Sequence, residues 1–284
     1  MKHADILIID AWVLTMDAQR REFNPGYLAI KGSQITAAGP MAEAAAWTAT
    51  RTLDAKGGIV LPGLINTHTH APMSYLRGIA DDLPLMNWLR ELIFPVEQQL
   101  DAEMVYLSSL LSIAEMIKSG TTSFCDTYLF AGEVARAADE TGIRSWIGEV
   151  LYDFDSPSYG KLDKGFAKVK ELISAYRHHP FISITVAPHS VYSCAPELLE
   201  TTAELAANGD CLHVVHLSET ESEVATCIEL YGLRPVEHLN RLGLLNSRLL
   251  AAGGEQAISI YRQHRKTIRL VILDMIMPGM SGGE

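Results

Sequence analysis

The chain has 284 residues, 48% of them hydrophobic, enough to bury a large core as one big domain or two small ones. Its formal charge of −11 argues against nucleic acid or an anionic membrane as the main partner, because both require a basic face. Four cysteines (Cys125, Cys194, Cys211 and Cys227) stand singly with no CxxC spacing, which fits the reduced thiols of a cytoplasmic protein.

The N-terminal MKHADILIID has an apolar run too short for a secretion signal, flanked by Asp5 and Asp10. No stretch approaches the ~18 apolar residues of a membrane span. Residues 1–58 read as a small β domain: short strands at 6–9, 11–14, 27–30 and 34–37 are punctuated by Asp, Gly, Asn and Pro. From Ile59 the texture changes to alternation. Strand-like Ile59–Val60–Leu61 leads into Gly63–Leu64–Ile65, and a helix is expected over 102–118, stopped by Gly120. Strands at 121–125, 143–150, 181–187 and 211–217 then alternate with helices at 132–141, 163–177 and 196–208. Two more helices are expected near 221–230 and 234–243, and a further strand begins at Arg248. Strands alternating with helices of this length imply βαβ units around a parallel sheet. A closed (β/α)₈ barrel needs eight strands, so residues 59–251 read as an incomplete (β/α)₈ barrel of the α/β class.

Candidate chemistry gathers where these strands end. In GLINTHTHAPM, His68 and His70 stand two apart, so both imidazoles project from the same strand face. Neutral imidazole is a good ligand for zinc or ferrous iron; the alternative is a pair of polar residues hydrogen-bonded to backbone at a strand exit. CLHVVHLSET ends another apolar strand in His216, with Glu219 three residues later, a spacing that suits a metal ligand with a general acid–base beside it. His213 falls on the opposite face and reads as structural. ISITVAPHS delivers His189 to the same rim, either as a substrate contact or as a hydrogen-bonded loop residue. His3, His178, His179, His238 and His264 read as solvated.

The ordered motifs HTHAPMSYLRG, PVE, APHS and HLSET resemble the amidohydrolase superfamily, in the branch that deaminates 5′-methylthioadenosine and S-adenosylhomocysteine. The resemblance runs from about residue 3 to residue 250. It implies one divalent metal, Zn²⁺ or Fe²⁺, in a barrel beside a small β domain, and a purine nucleoside as the small-molecule substrate. His68, His70 and His216 match the metal ligands, and Glu219 matches the residue that protonates the purine ring nitrogen. Glu97 in IFPVEQQL matches a carboxylate that holds ribose hydroxyls, and His189 a substrate contact. By itself Glu97 reads as an exposed helix-cap residue. Nothing in the sequence sets the oligomeric state.

Residues 252–284 change character. Their VILDMIMPGMSGGE resembles part of a response-regulator receiver domain, which implies a phosphoryl-acceptor role for Asp274 and, as an alternative function, phosphorelay. The acidic pair, hydroxyl residue and lysine that would support phosphoryl transfer have no match, so Asp274 reads as a strand-end carboxylate with no partner in preference to a phosphoryl acceptor. The histidine and aspartate that the amidohydrolase resemblance requires after later strands also have no match. Impaired or absent turnover is therefore the expectation for this chain.

Overall fold

The computed structural model describes residues 1–79 and 87–252, with the backbone of 271–272, 276–277 and 280–281. The chain divides into two compact units, Met1–Leu64 and Ile65–Glu284.

The first unit is a β layer. β1 (Lys2–Leu14) pairs antiparallel with β2 (Glu22–Lys31) and parallel with β4 (Trp47–Asp54), while β3 (Gln34–Pro40) pairs with β2. The sequence reading breaks β1 at Asp10, but the structure keeps one strand. A bulge accounts for this: the register shifts between Ile8 and Ala11, and Asp10 has φ of +50°. The extra residue re-aims the strand instead of ending it, so Ala4, Leu7, Ala11 and Val13 are all buried. β5 (Ile59–Val60) pairs with Trp12–Val13 of β1, so these residues belong to this sheet and do not open the barrel.

The second unit is α/β. β6 (Leu64–Thr69), β7 (Thr121–Tyr128), β8 (Arg144–Leu151), β9 (Ile182–Pro188), β10 (His213–His216), β11 (Leu249–Ala252) and β12 (Val271–Ile272) lie side by side in chain order. Every pairing from β7 to β12 is parallel. Among the described residues this is a barrel sheet one strand short of eight. Helices fill the crossovers: α1 (Phe94–Glu97) and α2 (Ala102–Lys118) before β7, α3 (Ala131–Thr141) before β8 and α4 (Leu162–Tyr176) before β9. α5 (Pro196–Gly209) precedes β10, and α6 (Glu221–Tyr231) and α7 (Pro235–Arg241) precede β11. α2 starts where Asp101 accepts a hydrogen bond from Met104 N at 2.8 Å, and Gly120, at φ +90°, turns the chain out of it.

The expected helices and strands agree with these bounds to within a few residues because both sheet faces are covered. β7 is buried along nearly its whole length, the pattern of a parallel strand between two apolar layers. Phe124, Ile147 and Ile182 pack with Val134, Ala138 and Val169 from the helices. On the opposite strand face Cys125 joins the small cluster Ala187, Val214 and Leu250. β8 approaches β9 closely at Gly148, where an added Cβ would lie 2.4 Å from Thr185 Oγ1.

His213 is structural, as expected: it is buried, and its Nε2 lies 3.0 Å from Thr202 Oγ1. Two histidines read as solvated are not. His238 is fully buried and stacked on Tyr231 at 4.1 Å, because α7 turns it toward α6. His179 is half-buried, with Nε2 3.0 Å from Asp139 while Nδ1 accepts from Ile182 N at 3.0 Å. The backbone of Val271–Ile272 continues the parallel sheet beyond β11, and Ile276–Met277 pairs antiparallel with Met280–Ser281. Asp274 lies outside the described residues, as does His264.

Candidate metal centre and substrate cleft

Chain order in a parallel sheet puts every strand's carboxyl end on one rim. His68 and His70 arrive there from β6, and His216 from β10. One ring nitrogen from each of the three lies within 4.8 Å of the others, a group that can hold a metal ion. The rings of His68 and His70 meet edge to face at 4.9 Å, as do those of His68 and His216.

Backbone carbonyls set the tautomers. His70 Nδ1 is 2.6 Å from Thr127 O, and His216 Nδ1 is 3.0 Å from His189 O. A carbonyl oxygen can only accept, so both Nδ1 atoms carry hydrogen and both Nε2 atoms present lone pairs. Those two Nε2 atoms face each other at 3.2 Å. Two imidazole lone pairs turned toward one point, each ring held from behind by a carbonyl, fit a soft or borderline divalent cation. Burial, then the neighbouring His70 and His216, push the His68 pKa down to about 2, so its imidazole is neutral at ordinary pH, as a ligand must be.

The surrounding loops are pinned. Asp126 is buried, and its Oδ2 accepts from Ala71 N at 2.5 Å, fixing the chain as it leaves His70. Burial raises the Asp126 pKa to about 7. His189 sits beside the cluster, its ring 5.1 Å from that of His216, with Nδ1 2.8 Å from Ser193 Oγ. Its main chain also accepts from His216 N at 2.9 Å, so one residue orients a neighbour through its carbonyl and offers its ring to the rim. Burial, reinforced by His216 and His70, holds its pKa well below the usual histidine range.

Glu97 does not cap a helix in solvent. It is half-buried at the end of α1, and its Oε1 accepts from Tyr128 Oη at 2.6 Å. Burial raises its pKa, and the tyrosine bond partly offsets that rise. Tyr128 in turn lies 5.9 Å from the His70 ring, tying Glu97 to the histidine cluster. A cleft of about 390 Å³ opens beside His189, lined by Arg90, Phe94, Tyr152, Phe154 and Tyr192. Tyr152 and Phe154 stack at 4.0 Å with planes 9° apart, a flat aromatic wall suited to an apolar or π-bearing ligand.

Glu219, half-buried, follows His216 after the buried Leu217 and Ser218 and is among the charges near Tyr192. Sequence reasoning missed the residue behind it. Glu223 is 2% exposed and accepts from Ser218 N at 3.0 Å and Glu219 N at 2.8 Å. The signal was available: Thr220 and Glu223 have the spacing of a capping box, and Glu223 N donates to Thr220 Oγ1 at 3.1 Å. Tyr128 and the Tyr152–Phe154 wall carry no motif and become visible only in three dimensions.

A parallel α/β barrel sheet with three imidazoles converging at its carboxyl rim defines the metal-dependent hydrolase class of barrel. Residues 59–264 match the amidohydrolase family, and the chain belongs to that family. It is 49% identical over 249 residues to a 5-methylthioadenosine/S-adenosylhomocysteine deaminase of Syntrophobacter fumaroxidans, covering 87% of this chain and 57% of that protein. A deaminase of the same name from Nitratidesulfovibrio vulgaris is 44% identical with the same coverage. The chain thus spans little more than half the length of these relatives. An adenosine deaminase from Xanthomonas campestris, solved with bound zinc, superposes with a TM-score of 0.90 at 35% identity, covering 96% of this chain and 62% of that one.

Proposed function

We propose that this chain holds the metal and the nucleoside for hydrolytic deamination of adenine nucleosides of the 5′-methylthioadenosine and S-adenosylhomocysteine type. The observation that carries the proposal is the convergence of His68, His70 and His216, with the Nδ1 atoms of His70 and His216 tied to carbonyls. The names of the relatives support the substrate class.

In this reading the three imidazoles hold one Zn²⁺ or Fe²⁺. When bound, such an ion supplies Lewis acidity and brings the pKa of water from 15.7 to about 7. Water adds to the purine carbon that bears the amino group while Glu219 gives a proton to the adjacent ring nitrogen, and the amino group then leaves as ammonia. Glu97, steadied by Tyr128, accepts from the ribose hydroxyls, and His189 contacts the base from the rim. The aromatic wall of the cleft excludes water from the nucleoside and receives its 5′ side. The reduced state of four buried free cysteines favours the cytoplasm. No described helix is long and apolar enough to cross a membrane.

Turnover by the 284-residue chain falls below detection in this proposal. Among the described residues the candidate metal group is three imidazoles with no carboxylate joining them. Groups that act as one catalytic unit are strongly non-additive, so the loss of a metal-binding, water-orienting carboxylate costs nearly as much as the loss of several. The test is calorimetric titration of the Zn²⁺-treated chain with 5′-methylthioadenosine. Binding that is lost in Glu97→Ala supports the proposal. No heat with any adenine nucleoside, in Zn²⁺ or Fe²⁺, would overturn it.

A further inference from the structure

We infer that Glu223 is a positioning residue for Glu219, a buried carboxylate that clamps the two consecutive amides of the loop presenting the proton donor. The inference rests on the role proposed above for Glu219.

The geometry is specific to that loop. β10 ends at His216, and Ser218 then takes φ of +58°, a left-handed conformation that is uncommon for a residue with a side chain. Glu223 holds this turn: Oε1 takes the Ser218 amide and Oε2 the Glu219 amide, so each carboxylate oxygen accepts from one N–H. The Glu219 backbone is thereby fixed on its N-terminal side by the strand and at its own amide by the clamp. Only the side-chain torsions remain to be set.

An ordinary capping box needs one bond from the glutamate back to the N-cap amide. Here the carboxylate bypasses the N-cap residue Thr220 and reaches the two residues before it. It is also almost fully buried, which is costly for a carboxylate unless each oxygen is satisfied. Helix capping alone explains neither feature, because Thr220 Oγ1 already supplies the cap to the Glu223 amide. Holding Ser218 and Glu219 explains both. With one loop amide on each oxygen, Glu223 is well suited to hold the loop still while Glu219 gives up its proton.

Two measurements on the full chain test this. The first is amide hydrogen exchange: Glu223→Gln replaces one acceptor oxygen by NH₂, and exchange of Ser218 and Glu219 is expected to quicken about tenfold or more while the rest of the barrel keeps its protection. The second is a double-mutant cycle on the Zn²⁺-treated protein, comparing a hydrated purine riboside analogue (tetrahedral at the reacting carbon) with the corresponding inosine. Glu223→Gln is expected to weaken the analogue about tenfold and the inosine little. Glu219→Gln is expected to do the same, and the double variant to lose no more than Glu219→Gln alone. Thr220→Val removes the cap without touching the clamp and is expected to leave the discrimination intact. Unchanged exchange at Ser218 and Glu219, additive losses in the cycle, or an equal loss in Thr220→Val would each overturn the inference. If Glu219→Gln itself leaves analogue binding unchanged, the deaminase reading fails instead, and the exchange measurement alone decides whether the clamp exists.

Discussion

Glu149 offers a test of how burial controls this barrel. It lies on β8, fully buried, with Oε1 accepting from Phe130 N at 3.1 Å and Oε2 from Ala131 N at 2.8 Å. It therefore anchors the start of α3 near the rim. Burial, only partly offset by the Ser158 hydroxyl and these amide bonds, raises its pKa from 4.5 to about 7. The native state then holds a proton that the unfolded chain releases near 4.5. Its contribution is fully present below pH 4.5 and is lost as pH rises to about 7. At about 1.4 kcal/mol per pH unit, a rise from 4.5 to about 7 corresponds to roughly 3 kcal/mol across that window. Glu149→Gln is close in shape to the protonated carboxyl and does not titrate. Urea unfolding of the two proteins between pH 4 and 8 should show the variant less stable by no more than about 1 kcal/mol at the acid end. The difference should then move in the variant's favour by roughly 3 kcal/mol as pH passes 7. Asp126 and Glu223, also raised to about 7 by burial, titrate in both proteins and cancel. A difference that stays flat within about 0.5 kcal/mol would refute the reasoning, because it would mean that the two amides compensate the buried charge in full.

Elemental analysis after dialysis against a chelator should find less than one zinc per chain, and His216→Ala should hold less still; a full equivalent surviving the chelator would point to a more complete ligand set. The ultraviolet shift from adenine to hypoxanthine should not be detectable with 5′-methylthioadenosine, S-adenosylhomocysteine or adenosine under added Zn²⁺ or Fe²⁺, and steady turnover that vanishes in Glu219→Gln would contradict this. Tyr128→Phe removes the hydrogen bond at 2.6 Å to Glu97 and should weaken nucleoside binding about five- to tenfold in titration calorimetry, with the melting temperature nearly unchanged. Thr202→Val strips buried His213 of its hydroxyl partner and should cost about 1–3 kcal/mol in urea unfolding while metal content stays the same; an effect on metal would place His213 in the site after all.

What was legible in the sequence follows from where physics leaves a local trace. Period-two spacing puts His68 and His70 on one face, and an apolar strand ending in His216 puts a third imidazole at the same rim, so the cluster was visible as pattern before it was visible as geometry. His213 was likewise assigned to the other face by counting, and its bond to Thr202 agrees. The misses have a common form. Asp10 reads as a break because an aspartate between apolar runs usually is one, yet pairing with β2 on one side and β4 on the other carries the strand through it as a bulge. His238 reads as solvated because a seven-residue helix gives too few turns to reveal which side faces the core. Glu97 and Glu223 show the same limit at the site itself. Each is a carboxylate on or beside a short helix, and what separates it from a solvated one is a partner brought up by the fold: Tyr128 from β7 for Glu97, and the strained Ser218–Glu219 loop for Glu223. The candidate metal group can be read from residue type and spacing because its three imidazoles stand at strand ends. The carboxylates beside that group are ordinary residues, and only the tertiary contact distinguishes them from solvated ones.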